Sequence, residues 1–210
     1  MESLYPKQAG VISKSNRTER NQFLNKEEGV ENAQRLQVLL DKYKDKRVLV
    51  IAPPSAGKST LLQHIPEGVD MDDIFDTMSD DVKDTILQRE SLYCDIETRK
   101  VTYFKKKFVP GDEQTLMDLD ILDKFFKKYV NDNMKIQLGK PVFGTKVIDC
   151  DVIIYLKLSD EVYMHRLESR NRNPIRQEQP EKVFAIQGLI EKDIEAVKGT
   201  GVIVEEFEIN

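Results

Sequence analysis

A short apolar run that stops at a loop of small residues is the feature that most constrains the fold of this chain. Residues 47–52 read RVLVIA, and two prolines follow directly. A β-branched run of this length, ended by proline, is typical of a buried parallel strand that leads into a loop. A helix is predicted next, over residues 58–65, and Pro66 ends it. This strand, loop and helix order favours an α/β fold.

The loop between this strand and helix has the sequence APPSAGKS over residues 52–59. It matches the phosphate-binding pattern G-x-x-x-x-G-K-[ST] at every specified position except the first, where Ala52 replaces glycine. In such a loop the backbone N–H groups surround a phosphate, the lysine reaches the β- and γ-phosphates, and the hydroxyl residue ligates Mg2+. The predicted contacts to ATP are Pro54, Ser55, Ala56, Gly57, Lys58, Ser59 and Thr60, with Ser59 also a metal ligand. The alternative is a turn of small residues in which Lys58 is only a solvated lysine.

The remaining pattern extends the α/β interpretation along the chain. Predicted helices cover residues 31–45, 80–90, 115–138, 181–197 and a segment that starts at Ser159. Predicted strands cover residues 68–70, 141–145, 151–158 and 201–204. Residues 93–108 contain two candidate strands that would form an inserted β-hairpin. We therefore expect a three-layer domain over residues 31–210, with a mostly parallel sheet of about five strands, after a polar extension over residues 1–30.

Charge and cysteine content limit the class of protein. The formal net charge of -5 does not provide the broad positive field of a protein that binds nucleic acid nonspecifically. Cys94 and Cys150 match neither a metal motif nor a disulfide framework, so we interpret them as structural cysteines in a reducing cytosol. No apolar run approaches the length of a membrane span, and the first 20 residues are polar. These features predict a cytoplasmic protein that does not bind membranes.

With these elements placed, the chain resembles the P-loop nucleoside and nucleotide kinases. That family includes polynucleotide kinases and the phage 5-hydroxymethyluracil DNA kinases. The resemblance covers about residues 47–208 and depends on three stretches: the loop, residues 70–73 and residues 152–176. It implies a P-loop NTPase fold, ATP and Mg2+ as cofactors, and a mobile lid that closes over the transferring phosphoryl group.

An acidic cluster follows the predicted second strand at Asp70, Asp72 and Asp73. In polynucleotide kinases such a cluster supplies the base for the acceptor hydroxyl, so the resemblance implies catalytic roles for Asp70 and Asp72. A carboxylate at this strand end could also hold Mg2+, a role we assign to Asp72. The alternative is that these residues are the N-cap and first-turn acids of a helix that begins at Ile74.

Four arginines follow the predicted strand over residues 151–158. They are Arg166, Arg170, Arg172 and Arg176. The resemblance implies an arginine-bearing lid here, with Arg166 and Arg170 catalytic and Arg172 and Arg176 binding the nucleotide. The alternative is a solvated helix face, in which case Arg89 or Arg99 would supply the site arginine.

The sequence constrains the phosphate acceptor less than it constrains the phosphate donor. Because a carboxylate near the nucleophile favours a hydroxyl, we expect a 5′-hydroxyl or a base hydroxymethyl group on a nucleotide or nucleic acid. Residues 101–108, VTYFKKKF, mix aromatic and basic side chains that could bind nucleic acid or simply form an amphipathic strand. A nucleoside monophosphate kinase and an ATP-binding regulatory module remain the alternatives. The oligomeric state is left open.

Overall fold

The protein has a parallel five-stranded sheet with helices on both faces. The computed structural model describes residues 26–77, 79, 123–124, 126–171 and 180–209. The strands are β1 (Val48–Ile51), β2 (Val69–Asp70), β3 (Val142–Gly144), β4 (Val152–Lys157) and β5 (Ile203–Glu208). Their order is β2-β3-β1-β4-β5, and every pairing between them is parallel. The predicted α/β class and the parallel sheet of about five strands are confirmed.

The described helices surround this sheet. They are α1 (Lys26–Lys42), α2 (Lys58–Leu62), a 3-10 helix (Met71–Thr77), α3 (Asp160–Asn171) and α4 (Pro180–Val197). Residues 126–133 are also helical. No helix in these described parts of the chain is both long and apolar enough to cross a membrane.

Alternate side chains of the central strands define two cores. Val48 and Val50 of β1 lie in one buried cluster with Leu36 of α1 and Leu61 of α2. Leu49 and Ile51 point to the opposite face, where they join Val130 and the α4 residues Ile190 and Ile194. Since successive strand residues face opposite sides, a strand of four apolar residues must be covered on both faces. The sheet therefore forms the middle of three layers.

Strand β1 occupies the position at which the chain changes sides of the sheet. It pairs with β3 on one side and β4 on the other. In open parallel sheets, ligands bind beyond the carboxyl ends of the strands at such a switch point. The small-residue loop leaves β1 at this position.

Several element boundaries differ from the sequence-based expectations. Helix α1 begins at Lys26, five residues before the predicted start. The helix expected over 115–138 ends at residue 133, where the Asn133 side chain donates to the Tyr129 carbonyl at 2.8 Å. Gly139 lies instead in a turn, with φ of 71°. Helix α2 ends at Leu62 rather than residue 65.

The last strand is longer and more charged than expected. The prediction ended it at residue 204, but β5 runs to Glu208 because it pairs with β4 along its whole length, from Val152 to Lys157. It lies at an edge of the sheet, where charged side chains reach water and oppose pairing with other chains. The charge of this segment therefore reflects its edge position.

Some predicted elements fall outside the described residues. They are the helix over 80–90, the candidate hairpin over 93–108 and most of the extension over 1–30.

Candidate phosphate-binding site

The loop at the end of β1 has a backbone that alternates between negative and positive φ. Ser55 has φ of 67° and Gly57 has φ of 95°, whereas Pro54 is held at negative φ by its ring and Ala56 also has negative φ. Successive N–H groups in such an alternation converge on one side of the backbone and form an anion-binding concavity. Ser55 pays an energetic cost of about 1–2 kcal/mol for its left-handed conformation. The loop is thus built in a form that suits an anion.

Lys58 folds back onto the start of this loop. Its Nζ donates to the carbonyl oxygens of Ala52 at 2.7 Å and Pro53 at 2.9 Å. These carbonyls lie six and five residues before Lys58 in the chain, so the ammonium group is held at the start of the loop. The positive charge and the backbone N–H groups are therefore complementary to a phosphate.

Ala52, the departure from the phosphate-binding pattern, fits the structure without strain. Its φ is not positive, so the position does not require glycine. Its side chain is completely buried in the cluster that contains Val50 and Ala56. Its N–H donates to the Gly144 carbonyl of β3 at 3.1 Å, which extends the pairing of β1 by one residue. The methyl group of Ala52 is part of the core beneath the loop.

Gly57, in contrast, is required at its position for two reasons. Its φ of 95° disfavours any residue with a β-carbon. A β-carbon there would also lie 3.0 Å from Nη1 of Arg166.

Helix α3 contacts the loop through two side chains. The Tyr163 hydroxyl donates to the Pro54 carbonyl at 2.6 Å, and Arg166 Nη1 donates to the Ala56 carbonyl at 3.0 Å. Arg166 is half-buried, and burial lowers its pKa while the negative charge of Glu28 acts in the opposite direction. The sequence prediction gave Arg166 a direct catalytic role, whereas the structure places it against a loop carbonyl.

The acidic cluster, like the loop, lies at the carboxyl ends of the strands, two strands away from the loop. Asp70 ends β2, and β3 separates β2 from β1. Two strand spacings correspond to about 10 Å between the β1 and β2 backbones. The Asp70 Oδ1 accepts a hydrogen bond from the Asp72 N–H at 3.0 Å, so Asp70 caps a 3-10 helix that begins at Met71, three residues before the start that the capping alternative expected. Asp72 is exposed, and Asp73 is half-buried.

The other predicted site residues divide into two groups. Ser59 is exposed and Thr60 is half-buried, both in the first turn of α2. Arg170 belongs to α3, but its side chain lies outside the described part of the structure, as do Arg172, Arg176, Arg89 and Arg99. Within the described ranges, no group of three or more acidic, His or Cys side chains is arranged to hold a metal ion. A metal-binding role for Ser59 and Asp72 stays a prediction.

Cys150 is buried, and burial raises the pKa of its thiol to about 12, as expected for an inert structural cysteine. Cys94 lies outside the described residues.

Sequence reasoning missed two contributors to this site. Tyr163 gave no motif signal, although it precedes Arg166 by three residues and thus shares its helix face. The sequence predicted helix α1 but gave it no part in the site, whereas in the structure it lies directly against α2: a β-carbon at Gly29 would be 2.9 Å from Cγ2 of Thr60. A pocket between α1 and the loop is lined by Gly29, Asn32, Thr60, Arg166 and Ile209, among others.

Comparison with known proteins does not assign a family or a function to this site. A scan against protein-family models finds no match, and a search of curated proteins finds none with significant similarity. The candidate site therefore rests on its own residues and their arrangement.

Proposed function

We propose that this chain is an ATP-dependent phosphotransferase of the P-loop kinase type, which transfers the γ-phosphate to a hydroxyl acceptor on a nucleotide or nucleic acid. The observation that carries the proposal is the loop at the carboxyl end of β1. Its φ values alternate in sign through Ser55 and Gly57, and the Lys58 ammonium group is held against its first two carbonyls. Together these features supply the donors that a polyphosphate requires.

The residues present fit ATP and Mg2+. The loop N–H groups and Lys58 would hold the phosphates, and the exposed hydroxyl of Ser59 in the first turn of α2 would ligate the metal. Bound Mg2+ would neutralise part of the phosphate charge. The location of the loop beside β1, at the switch point of the sheet, further supports a nucleotide site.

Asp70 supports a hydroxyl acceptor. Its carboxylate stands at the same sheet edge as the loop, with the width of β3 between them. The β1 and β2 backbones are about 10 Å apart across β3, and in this proposal the acceptor group binds between the Asp70 carboxylate and the γ-phosphate. From there Asp70 could accept the hydroxyl proton as the nucleophile forms. The resemblance of the loop, the acids and residues 152–176 to nucleotide and polynucleotide kinases makes 5′-hydroxyls and base hydroxymethyl groups the acceptors to examine first.

A labelling experiment tests this function. The protein is incubated with γ-labelled ATP and Mg2+, together with separate pools of nucleosides, nucleoside monophosphates, DNA with 5′-hydroxyl ends and DNA that contains hydroxymethylated pyrimidines. We expect label in one of the hydroxyl pools, and label in the monophosphates would indicate a phosphate acceptor instead. ATP binding without transfer to any pool would favour the regulatory-module alternative.

Lys58→Met and Lys198→Met provide the matched pair for this experiment. Lys198 is an exposed lysine in an i,i+3 pair with Glu195 after α4, so it reports the general effect of losing a surface cation. We expect Lys58→Met alone to lose ATP binding and transfer. If Lys58→Met binds and transfers like the unmodified protein, the proposed site is wrong.

A further inference from the structure

Two side chains of α3 hold alternate carbonyls of the phosphate-binding loop. Tyr163 donates to the Pro54 carbonyl at 2.6 Å, and Arg166 donates to the Ala56 carbonyl at 3.0 Å. They are three residues apart on one helix and so lie on the same face of α3. The helix therefore contacts the loop at two points rather than one.

Each contact fixes the orientation of a neighbouring N–H group. The loop peptides are trans, and in a trans peptide the carbonyl and the N–H point in opposite directions. The Pro54 carbonyl shares its peptide with the Ser55 N–H, and the Ala56 carbonyl shares its peptide with the Gly57 N–H. When α3 draws these carbonyls toward itself, the two N–H groups turn to the opposite side of the loop backbone. Ser55 and Gly57 are the two residues with positive φ, on which the anion-binding concavity depends.

Helix α3 is itself fixed to the body of the protein. The Tyr163 ring packs edge-on against Phe184 of α4, with centroids 5.6 Å apart and planes at 88°. Tyr163 also shares a buried cluster with Leu167 and Val183. Because ring packing and the hydroxyl contact use different parts of the side chain, the hydroxyl can be removed while the ring stays in place.

We propose that Tyr163 and Arg166 are positioning residues that pre-organise the loop for phosphate by holding the Ser55 and Gly57 N–H groups in place from outside. The inference rests on the proposed function and deepens it. It gives Arg166 a role through the loop backbone, in place of the direct contact with the transferring phosphoryl group that the family resemblance implied. Pre-organised donors bind an anion more tightly because the loop need not be ordered during binding.

The test compares Tyr163→Phe with Tyr155→Phe. Tyr155 is also a buried tyrosine, but its hydroxyl donates to Glu191 at 2.9 Å rather than to a loop carbonyl, and its side chain lies in the core cluster with Ile190 and Ile194. Affinity for tripolyphosphate with Mg2+ is measured by calorimetry, and folding by thermal unfolding. We expect Tyr163→Phe to bind tripolyphosphate about five- to tenfold more weakly, the effect of one lost hydrogen bond, while Tyr155→Phe binds normally. Equal affinities for the two variants would overturn the inference.

Arg166 is tested by a conservative rescue. Arg166→Met removes the donor, and Arg166→Lys keeps a positively charged hydrogen-bond donor on a somewhat shorter side chain. We expect the lysine variant to lose less tripolyphosphate affinity than the methionine variant. On a logarithmic scale, its loss should be at most half as large. Equal losses in the two variants would argue against an orienting hydrogen bond.

NMR order parameters separate this inference from the proposed function. In the protein without ligand, we expect the Ser55 N–H to become more mobile in Tyr163→Phe and the Gly57 N–H in Arg166→Met, relative to Tyr155→Phe. Unchanged order parameters would show that Tyr163 and Arg166 are not positioning residues. If the order parameters change but the unmodified protein does not bind tripolyphosphate, Tyr163 and Arg166 still position the loop, and the proposed function fails.

Discussion

Arg166 packs directly over Gly57: its Nη1 lies 3.0 Å from the position that a Gly57 β-carbon would take. The same Nη1 donates to the carbonyl of Ala56, the preceding residue. The close approach and the hydrogen bond therefore depend on each other. A β-carbon at residue 57 would therefore press on the guanidinium group that bonds the loop.

Gly57→Ala should lower both stability and phosphate affinity. The φ of 95° alone costs alanine about 1–2 kcal/mol, and the displaced guanidinium group adds to that cost. Gly201→Ala is the matched control, because Gly201 has φ of 97° and no atom would lie within 4 Å of its β-carbon. Urea unfolding should show the larger loss for Gly57→Ala, and only this variant should bind tripolyphosphate more weakly. Equal losses of stability in the two variants would mean that the contact with Arg166 does not add to the cost of the substitution at Gly57.

Substitutions at Asp70 should separate catalysis from capping. Asp70→Asn keeps Oδ1 as an acceptor for the Asp72 N–H, so the fold and ATP affinity should be retained. Transfer should fall by about 10²-fold or more, since the amide cannot accept the hydroxyl proton. Asp70→Ala should also lose about 1 kcal/mol of stability with the cap. Normal transfer by Asp70→Asn would assign Asp70 to capping alone.

The contact of α1 with α2 should appear as a difference between two glycine substitutions. Gly29→Ala places a β-carbon 2.9 Å from Cγ2 of Thr60, whereas a β-carbon at Gly188 in α4 meets nothing within 4 Å. Alanine in an open helical position should stabilise the protein by about 0.5–1 kcal/mol. We expect that gain for Gly188→Ala but not for Gly29→Ala, measured by urea unfolding. An equal gain at both positions would show that α1 yields to the added methyl group without cost.

Acid should weaken an ion-pair cluster that joins the start of β1 to the start of β4. Arg47 bonds to Asp149 at 2.5 Å and Asp151 at 2.8 Å, and it lowers the pKa of both carboxyl groups. A lowered folded-state pKa contributes stability that is present above the unfolded-state pKa of about 3.9 and is lost as pH falls through the folded-state pKa. The unmodified protein should therefore lose more stability below about pH 4 than Arg47→Met does.

Urea unfolding at a series of pH values measures this difference. Lys198→Met serves as the control, since it removes an exposed cation away from the cluster. Because the groups are partly exposed, the effect should be modest and should shrink in high salt. Parallel pH profiles for the unmodified protein and Arg47→Met would contradict the role of the cluster.

The central strands and the loop could be predicted from the sequence because their signals are local. The apolar runs of β1 and β4 have the composition of strands buried on both faces, and the two prolines and Gly57 mark the loop between β1 and α2. The order of the strands could not be predicted in this way, because it depends on which distant segments pair. The length of β5 was missed for the same reason: its charged residues form a strand only because β4 is beside them.

The role of Arg166 shows the corresponding limit for the site. Its sequence context predicted an arginine near phosphate, and the structure places it against the Ala56 carbonyl of the loop that follows β1. Which atom it contacts depends on how α3 is rotated against the loop, and that rotation is fixed by packing of Tyr163 on Phe184. Neither residue belongs to a motif. Contacts of this kind, made through tertiary packing, leave no periodic or spacing signal in a single sequence.

The pairing of β1 also limits how early this strand can fold during synthesis. Leu49 pairs with Val142 and Ile153, so both partners of β1 emerge from the ribosome roughly ninety residues or more after it. At translation rates of about 5–20 residues per second, the strand waits on the order of 5–20 s for its first neighbour. During that interval its apolar residues are available to chaperones or to incorrect partners. The loop that follows β1 waits at least as long, because Tyr163 and Arg166, which bond its carbonyls, follow Pro54 and Ala56 by 109 and 110 residues.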